Sequence, residues 1–110
     1  NVTACLADQG SILNLYRRLI GLRRTYPELC FGRFATVYAD PDLLAFERSH
    51  GDVRWLIVLN FAHEQRQFHL PPGSPSALVV LSTCLDRENE HVRVALPLRE
   101  SEGLILKLLP

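Results

Sequence analysis

The stretch "VRWLIVLNF", residues 53–61, decides how the rest of the chain is arranged. In an extended strand successive side chains point to opposite faces, so Val53, Trp55, Ile57, Leu59 and Phe61 share one face. Leu56 and Val58 make the other face apolar too. A strand with one side in water alternates apolar with polar residues, and this one does not. It reads as a central strand covered on both sides.

Its neighbours follow outward. "LLAFERS" (43–49) precedes it across "HGD", a short hairpin connection. "RFATVYA" (33–39) comes before that and stops at "DPD", a turn signal. Downstream, "QRQFHL" (65–70) alternates and reads as half exposed, and "PPGSPS" (71–76) is a loop that no strand interior tolerates. "ALVVLSTC" (77–84) reads as buried. "LDRENE" (85–90) is a charged turn whose acids are expected to be solvated and unshifted. "HVRVALPL" (91–98) alternates, with Val92, Val94 and Leu96 inward and Arg93 outward. "RESEG" (99–103) turns the chain into a last strand, "LILKLL" (104–109). About seven or eight short strands with regular turns predict a mainly β fold, an antiparallel sandwich or Greek-key barrel.

Ahead of the strands the period is helical. Residues 1–10 look irregular, and Ser11 is the expected N-cap. At about 100° per residue, Ile12, Leu13, Leu15, Tyr16, Leu19, Ile20, Leu22 and Tyr26 fall on one side of a cylinder. This apolar arc covers roughly half of it, wider than one light contact needs. Pro27 ends the helix near Tyr26. Arg23 projects into the middle of the arc. Either its stem packs and its head snorkels to the edge, or it meets a carboxylate or carbonyls on a partner that is not this domain, outside residues 33–110.

The totals exclude several function classes. The 110 residues are 47% hydrophobic and 22% charged, enough for one domain with a core and an extra element. Twelve basic and twelve acidic residues cancel, so no field points to nucleic acid or to a membrane surface. The apolar runs are too short to span a bilayer, and the first ten residues lack the pattern of a signal peptide. Three cysteines at wide spacing suit free thiols in a reducing, cytoplasmic setting; one pair plus a leftover is the alternative. Asn1-Val2-Thr3 matches an N-glycosylation pattern that is common by chance.

Catalytic and metal constellations are missing. There is no C-x-x-C and no H-E-x-x-H. His50, His63, His69 and His91 fall at turns, strand ends or solvent-facing positions. Asp40 and Asp42 flank Pro41 as turn formers. Cys84 ends a buried strand, where thiols are usually inert. Trp55 reads as core, and Tyr38 is the least constrained aromatic. No catalytic, cofactor-binding or metal residue is assigned.

Taken in order, "LNLYRRLIGLRRTYPEL", "LLAFERS…RWLIVLNF" and "VVLSTCLDRE…VRVALPLRESEGLILKL" resemble the C-terminal end of α-glucosidases, in the α-amylase family (glycoside hydrolase family 13). The LVALNF-like strand is matched by Leu56 to Phe61 and the LLST-like strand by Val80 to Thr83. The closing P-x-E-G-x-x-L is matched loosely by Arg99 to Leu106, with "RESEG" in place of a proline-containing turn. The resemblance implies that residues 1–31 carry the final helix of a (β/α)8 catalytic barrel and that 32–110 form the C-terminal antiparallel β-domain. It further implies a parent that acts on α-glucosides with retention, through two Asp and one Glu on upstream barrel strands that this sequence does not contain. The barrel of the same parent chain is then the expected partner. Ile12, Leu15, Tyr16, Leu19, Leu22 and Arg23 are the expected contacts, with self-association expected of the isolated chain. No cofactor is expected on this segment. Three alternatives remain: the matching domain of a non-enzymatic amino-acid transporter heavy subunit, a carbohydrate-binding module, and a free-standing β-domain, expected to be a monomer whose helix packs on its own sheet.

Overall fold

The structure is a computed structural model and describes residues 2–110. Asn1, the acceptor of the glycosylation pattern, lies outside them. Helices α1 (Val2–Leu6), α2 (Gln9–Thr25) and α3 (Glu28–Phe31) come first. Eight strands follow: β1 (Arg33–Ala39), β2 (Leu43–His50), β3 (Val53–Asn60), β4 (Arg66–His69), β5 (Ser76–Ser82), β6 (His91–Arg93), β7 (Ala95–Leu98) and β8 (Gly103–Leu109). Six of them form one antiparallel sheet in the order β1-β2-β3-β8-β5-β6, and β4 and β7 form a second.

β3 is central, as its two apolar faces require, with β2 on one side and β8 on the other. Its inner face, Leu56 and Val58, joins Leu43, Ala45, Val79, Leu104 and Leu106 against Phe68, Leu96 and Leu98 of the small sheet. Burying a leucine-sized side chain contributes about 1.5–3 kcal/mol, so this cluster drives the sandwich. The outer face carries Trp55 and Ile57 and is covered by the helical layer. Trp55 is buried under Tyr26, their ring centroids 4.9 Å apart, and its indole N–H donates to Glu28. Gly32 ends α3 where its backbone crosses β2; a Cβ there would overlap the carbonyl oxygens of Glu28 and Ser49.

Five readings are corrected. Residues 2–6 and 9–10 are helical rather than irregular, and Asp8, not Ser11, caps α2. The Asp8 carboxylate accepts from Gly10 N at 2.9 Å and from the Ser11 hydroxyl at 3.1 Å, and its charge suits a helix N-terminus. Residues 91–98 form two strands in different sheets, divided at Val94. That residue has φ 63° and is 64% exposed instead of inward, since the chain must turn there to change sheets. Cys5 and Cys84 form a disulfide bridge, with Cα atoms 5.7 Å apart, and only Cys30 is free. A separation of 79 residues hid this pairing: α1 folds back onto the turn after β5. Finally, Asp86 and Glu90 are ion-paired, not merely solvated.

Among the described residues no helix is long and apolar enough to cross a membrane.

Candidate functional site

α2 lies across the outer face of the six-stranded sheet, and its wide apolar arc is divided between two tasks. Leu15 and Leu19 share a groove of about 370 Å³ with Phe46, Ile57, Leu59 and Ile105 of the sheet. Leu22 lies on the other flank, with Val80, Leu81 and Leu85. The remaining part of the arc faces away from the domain. Ile12, Leu13 and Tyr16 there are 44, 49 and 62% exposed. The six expected contact residues thus separate: Leu15, Leu19 and Leu22 lie toward this chain's own sheet, and Ile12 and Tyr16 point outward.

Arg23 stands between the two sets, at the mouth of the groove. Its Nε donates to Cys30 Sγ at 2.9 Å, and this bond raises the guanidinium pKa above its ordinary value. This observed partner is a thiol a few residues along the same chain, not a carboxylate or carbonyl of another domain. The four histidines are exposed.

A second cluster lies at the end of β3, β5 and β8, and composition gave no hint of it. Asn60 is buried; its side-chain amide donates to the carbonyls of Glu64 (3.1 Å) and Arg99 (2.9 Å) and accepts from Ala62 N. Ser82 is held by Glu88 and caps the amides of Asp86 and Arg87. The Thr83 hydroxyl accepts from Gly103 N at 2.8 Å and donates to Gly103 O at 3.0 Å. Glu102 is buried; its carboxylate accepts from Arg87 Nη1 (2.8 Å), Arg99 Nε (2.8 Å) and Arg99 N (3.0 Å). Arg99 reaches on to Asp86 in a bidentate pair at 2.7 Å, and Arg87 to Glu90. Arg99 holds the Asp86 carboxyl below its ordinary range, and Arg87 does the same for Glu90. Among the described residues every buried side-chain nitrogen and oxygen has a partner, so the cluster offers no orphan group to a ligand. Its signal in the sequence was a polar residue closing each apolar run: Asn60 after 56–59, Ser82 after 77–81, Glu102 before 104–109.

Tyr38 also has a structural task. Its hydroxyl donates to Asp40 at 2.7 Å, and Asp40 caps the turn to β2 while pairing with Arg66. Arg66 first, then Tyr38, keeps this carboxyl well below the ordinary range.

No family model matches the chain. It is 36% identical over 85 residues to a probable oligo-1,6-glucosidase 2 of Bacillus subtilis, covering 74% of this chain and 15% of that protein. It is 35% identical over 115 residues to the amino acid transporter heavy chain of Mus musculus, covering 91% of this chain and 22% of that one. Among solved structures it fits trehalulose synthase MutB from Pseudomonas mesoacidophila with a TM-score of 0.75 and 27% identity, over 86% of this chain and 17% of that one. A MutB variant from crystals soaked with trehalulose fits with a TM-score of 0.81 and 28% identity, over 98% of this chain and 20% of that one. The chain belongs to the α-amylase family, glycoside hydrolase family 13. It corresponds to the C-terminal region of α-glucosidase-like members and spans about a fifth of their length.

Within this α-amylase-family chain the motif residues acquire a physical meaning. Asn60, Ser82, Thr83, Glu102 and Gly103 belong to two of the three stretches that carry the resemblance, and they converge in the polar cluster. A fit covering 98% of the chain includes α2, so the helix-on-sheet layer recurs inside a chain about five times as long.

Proposed function

We propose that this chain is the C-terminal structural part of a retaining α-glucosidase-type enzyme. Residues 1–31 supply the last helix of the catalytic (β/α)8 barrel, and residues 32–110 form the β-domain that braces it. The segment holds none of the catalytic carboxylates and no cofactor. The observation that carries this reading is the outward stripe of α2. Ile12, Leu13 and Tyr16 are exposed on a helix whose opposite flank already covers its own sheet, and a larger partner is needed to bury them. In the parent chain, Ile12→Asp with Tyr16→Asp should lower the melting temperature and the turnover of an aryl α-glucoside together. The isolated 110-residue chain should show no turnover and should self-associate in light scattering. Turnover by the isolated chain, or a parent indifferent to both charges, would overturn the proposal.

The disulfide favours a second reading, an amino-acid transporter heavy subunit. A bridge between Cys5 and Cys84 forms where thiols oxidise, as outside cells, whereas cytoplasmic placement goes with the enzyme reading. Thiol alkylation and mass spectrometry on the native protein separate the two. Free Cys5 and Cys84 support the cytoplasmic enzyme; a bridged pair favours an exported protein.

A further inference from the structure

The groove beside α2 has two charged side chains in its lining. Its lining from Leu15, Leu19, Leu29, Phe46 and Ile57 is apolar, and its two charged groups are Arg23 and Arg48. Both guanidiniums are anchored on the same short segment. Arg23 Nε donates to Cys30 Sγ at 2.9 Å, and Arg48 Nη1 donates to Gly32 O at 2.9 Å. The Cα atoms of those two anchors can be no more than about 7.6 Å apart. Arg48 is half-buried and lies over the Phe34 ring, 5.2 Å from its centroid. Among the described residues no carboxylate is within ion-pair distance of either arginine. Glu28, the acid nearest in sequence to both anchors, accepts instead from the Trp55 indole at 3.3 Å. Arg54, Arg66, Arg87 and Arg99 each have a carboxylate; of the arginines without one, Arg23 and Arg48 are the two that line this groove.

We propose that Arg23 and Arg48 form a carboxylate-accepting mouth on this groove, occupied in the parent by an Asp or Glu on an aliphatic segment of the catalytic part. The inference rests on the docking role proposed above and adds the chemistry of the contact. Guanidinium donors left without a carboxylate beside an apolar lining select an acid carried on apolar surface, in bidentate geometry where the fork is free. The site is also continuous with the outward stripe. Ile12, Tyr16 and Arg23 stand at i, i+4 and i+11, one row along α2, so whatever covers Ile12 and Tyr16 reaches Arg23.

The test uses the full parent chain with R23K and R48K, made singly. A zero-length carbodiimide couples an amine to a touching carboxylate and leaves guanidinium groups unreacted. The expected result is a new amide cross-link from position 23 or 48 to an Asp or Glu outside residues 1–110, absent from the unsubstituted parent. A link confined to Glu28 or another acid of this segment, or no link at all, overturns the proposal. The combined Arg23→Met and Arg48→Met variant gives a second readout: the parent's melting temperature should fall in low salt and approach the unsubstituted value in high salt. A melting temperature equal to that of the unsubstituted parent in low salt also overturns it. If the cross-link fails while Ile12→Asp and Tyr16→Asp still destabilise the parent, docking stands and the acidic contact alone is wrong.

Discussion

Replacing Glu102 by Gln isolates what burial does to an ion pair. The Glu102 side chain is 0% exposed, against 10% for Arg87 and 34% for Arg99, which both donate to it. Gln keeps the volume, loses the charge and turns an amide N–H₂ toward a guanidinium that can only donate. Removing one partner of a buried pair costs about 3–5 kcal/mol. Arg87 retains Glu90, Arg99 retains Asp86, and Arg99 is about a third exposed, so the lower end, about 3 kcal/mol, is expected here. The same cluster supplies the control. Asp86 pairs with Arg99 at 2.7 Å, but with 44 and 34% of the side chains exposed. Asp86→Asn should therefore cost less than about 1 kcal/mol. For a chain of this length each kcal/mol moves the melting temperature by about 4 °C, so Glu102→Gln should lower it by about 12 °C and Asp86→Asn by under about 4 °C. Thermal unfolding followed by circular dichroism at neutral pH reads both, with urea midpoints as a check. If the two variants melt within a degree or so of each other, burial of Glu102 is not what distinguishes these pairs.

Further outcomes follow from other sites. Val94 has φ 63° and an exposed side chain, a conformation that costs a β-branched residue about 1–2 kcal/mol; Val94→Gly should raise the melting temperature by a few degrees, and a fall would refute this. Reducing the Cys5–Cys84 bridge, which spans 79 residues, frees chain entropy of up to about 4.5 kcal/mol; an unchanged melting temperature with reductant would show that the bridge does not hold the fold. Asp40, Asp86 and Glu90 are depressed by Arg66, Arg99 and Arg87 respectively. Their contribution is complete above the unfolded carboxylate values near about 4 and is lost as pH falls through the lower folded values. Urea midpoints should hold from about pH 7 to 5 and drop below about pH 4; a rise on acidification would contradict the ion-pair geometry.

The strands were legible because their signals are local. The two apolar faces of 53–60, the hairpin before it and the turns at 40–42 and 71–75 each follow from residues within a few positions. What escaped depends on distance along the chain. The Cys5–Cys84 pair shows only once α1 has folded back onto the sheet. "HVRVALPL" alternates as one strand should, yet it serves two sheets, and only the left-handed turn at Val94 allows the change. Glu102 sits in a stretch that reads as an exposed turn, because one of the two arginines that permit its burial, Arg87, comes from another turn, 15 residues upstream. The apolar arc of α2 was visible in the sequence, but its division into a sheet-facing part and an outward part was not. Helical periodicity gives the width of a face and says nothing about how many partners share it.

That division connects the fold to its role. A helix that packs only on its own sheet needs about one apolar stripe, and α2 has a second, with Ile12, Leu13 and Tyr16 exposed. The same helix and sheet recur in MutB within a chain about five times as long. Segments like this one also occur in proteins named for different activities, an oligo-1,6-glucosidase and an amino acid transporter heavy chain. The structural role proposed above is compatible with both names. The polar cluster at Asn60, Ser82 and Glu102 fits that role, since all its buried groups are spent on one another. It fixes the end of the β3–β8–β5 layer on which α2 rests. In the proposed reading, the exposed Ile12, Leu13 and Tyr16 of the outer stripe are what a larger partner covers.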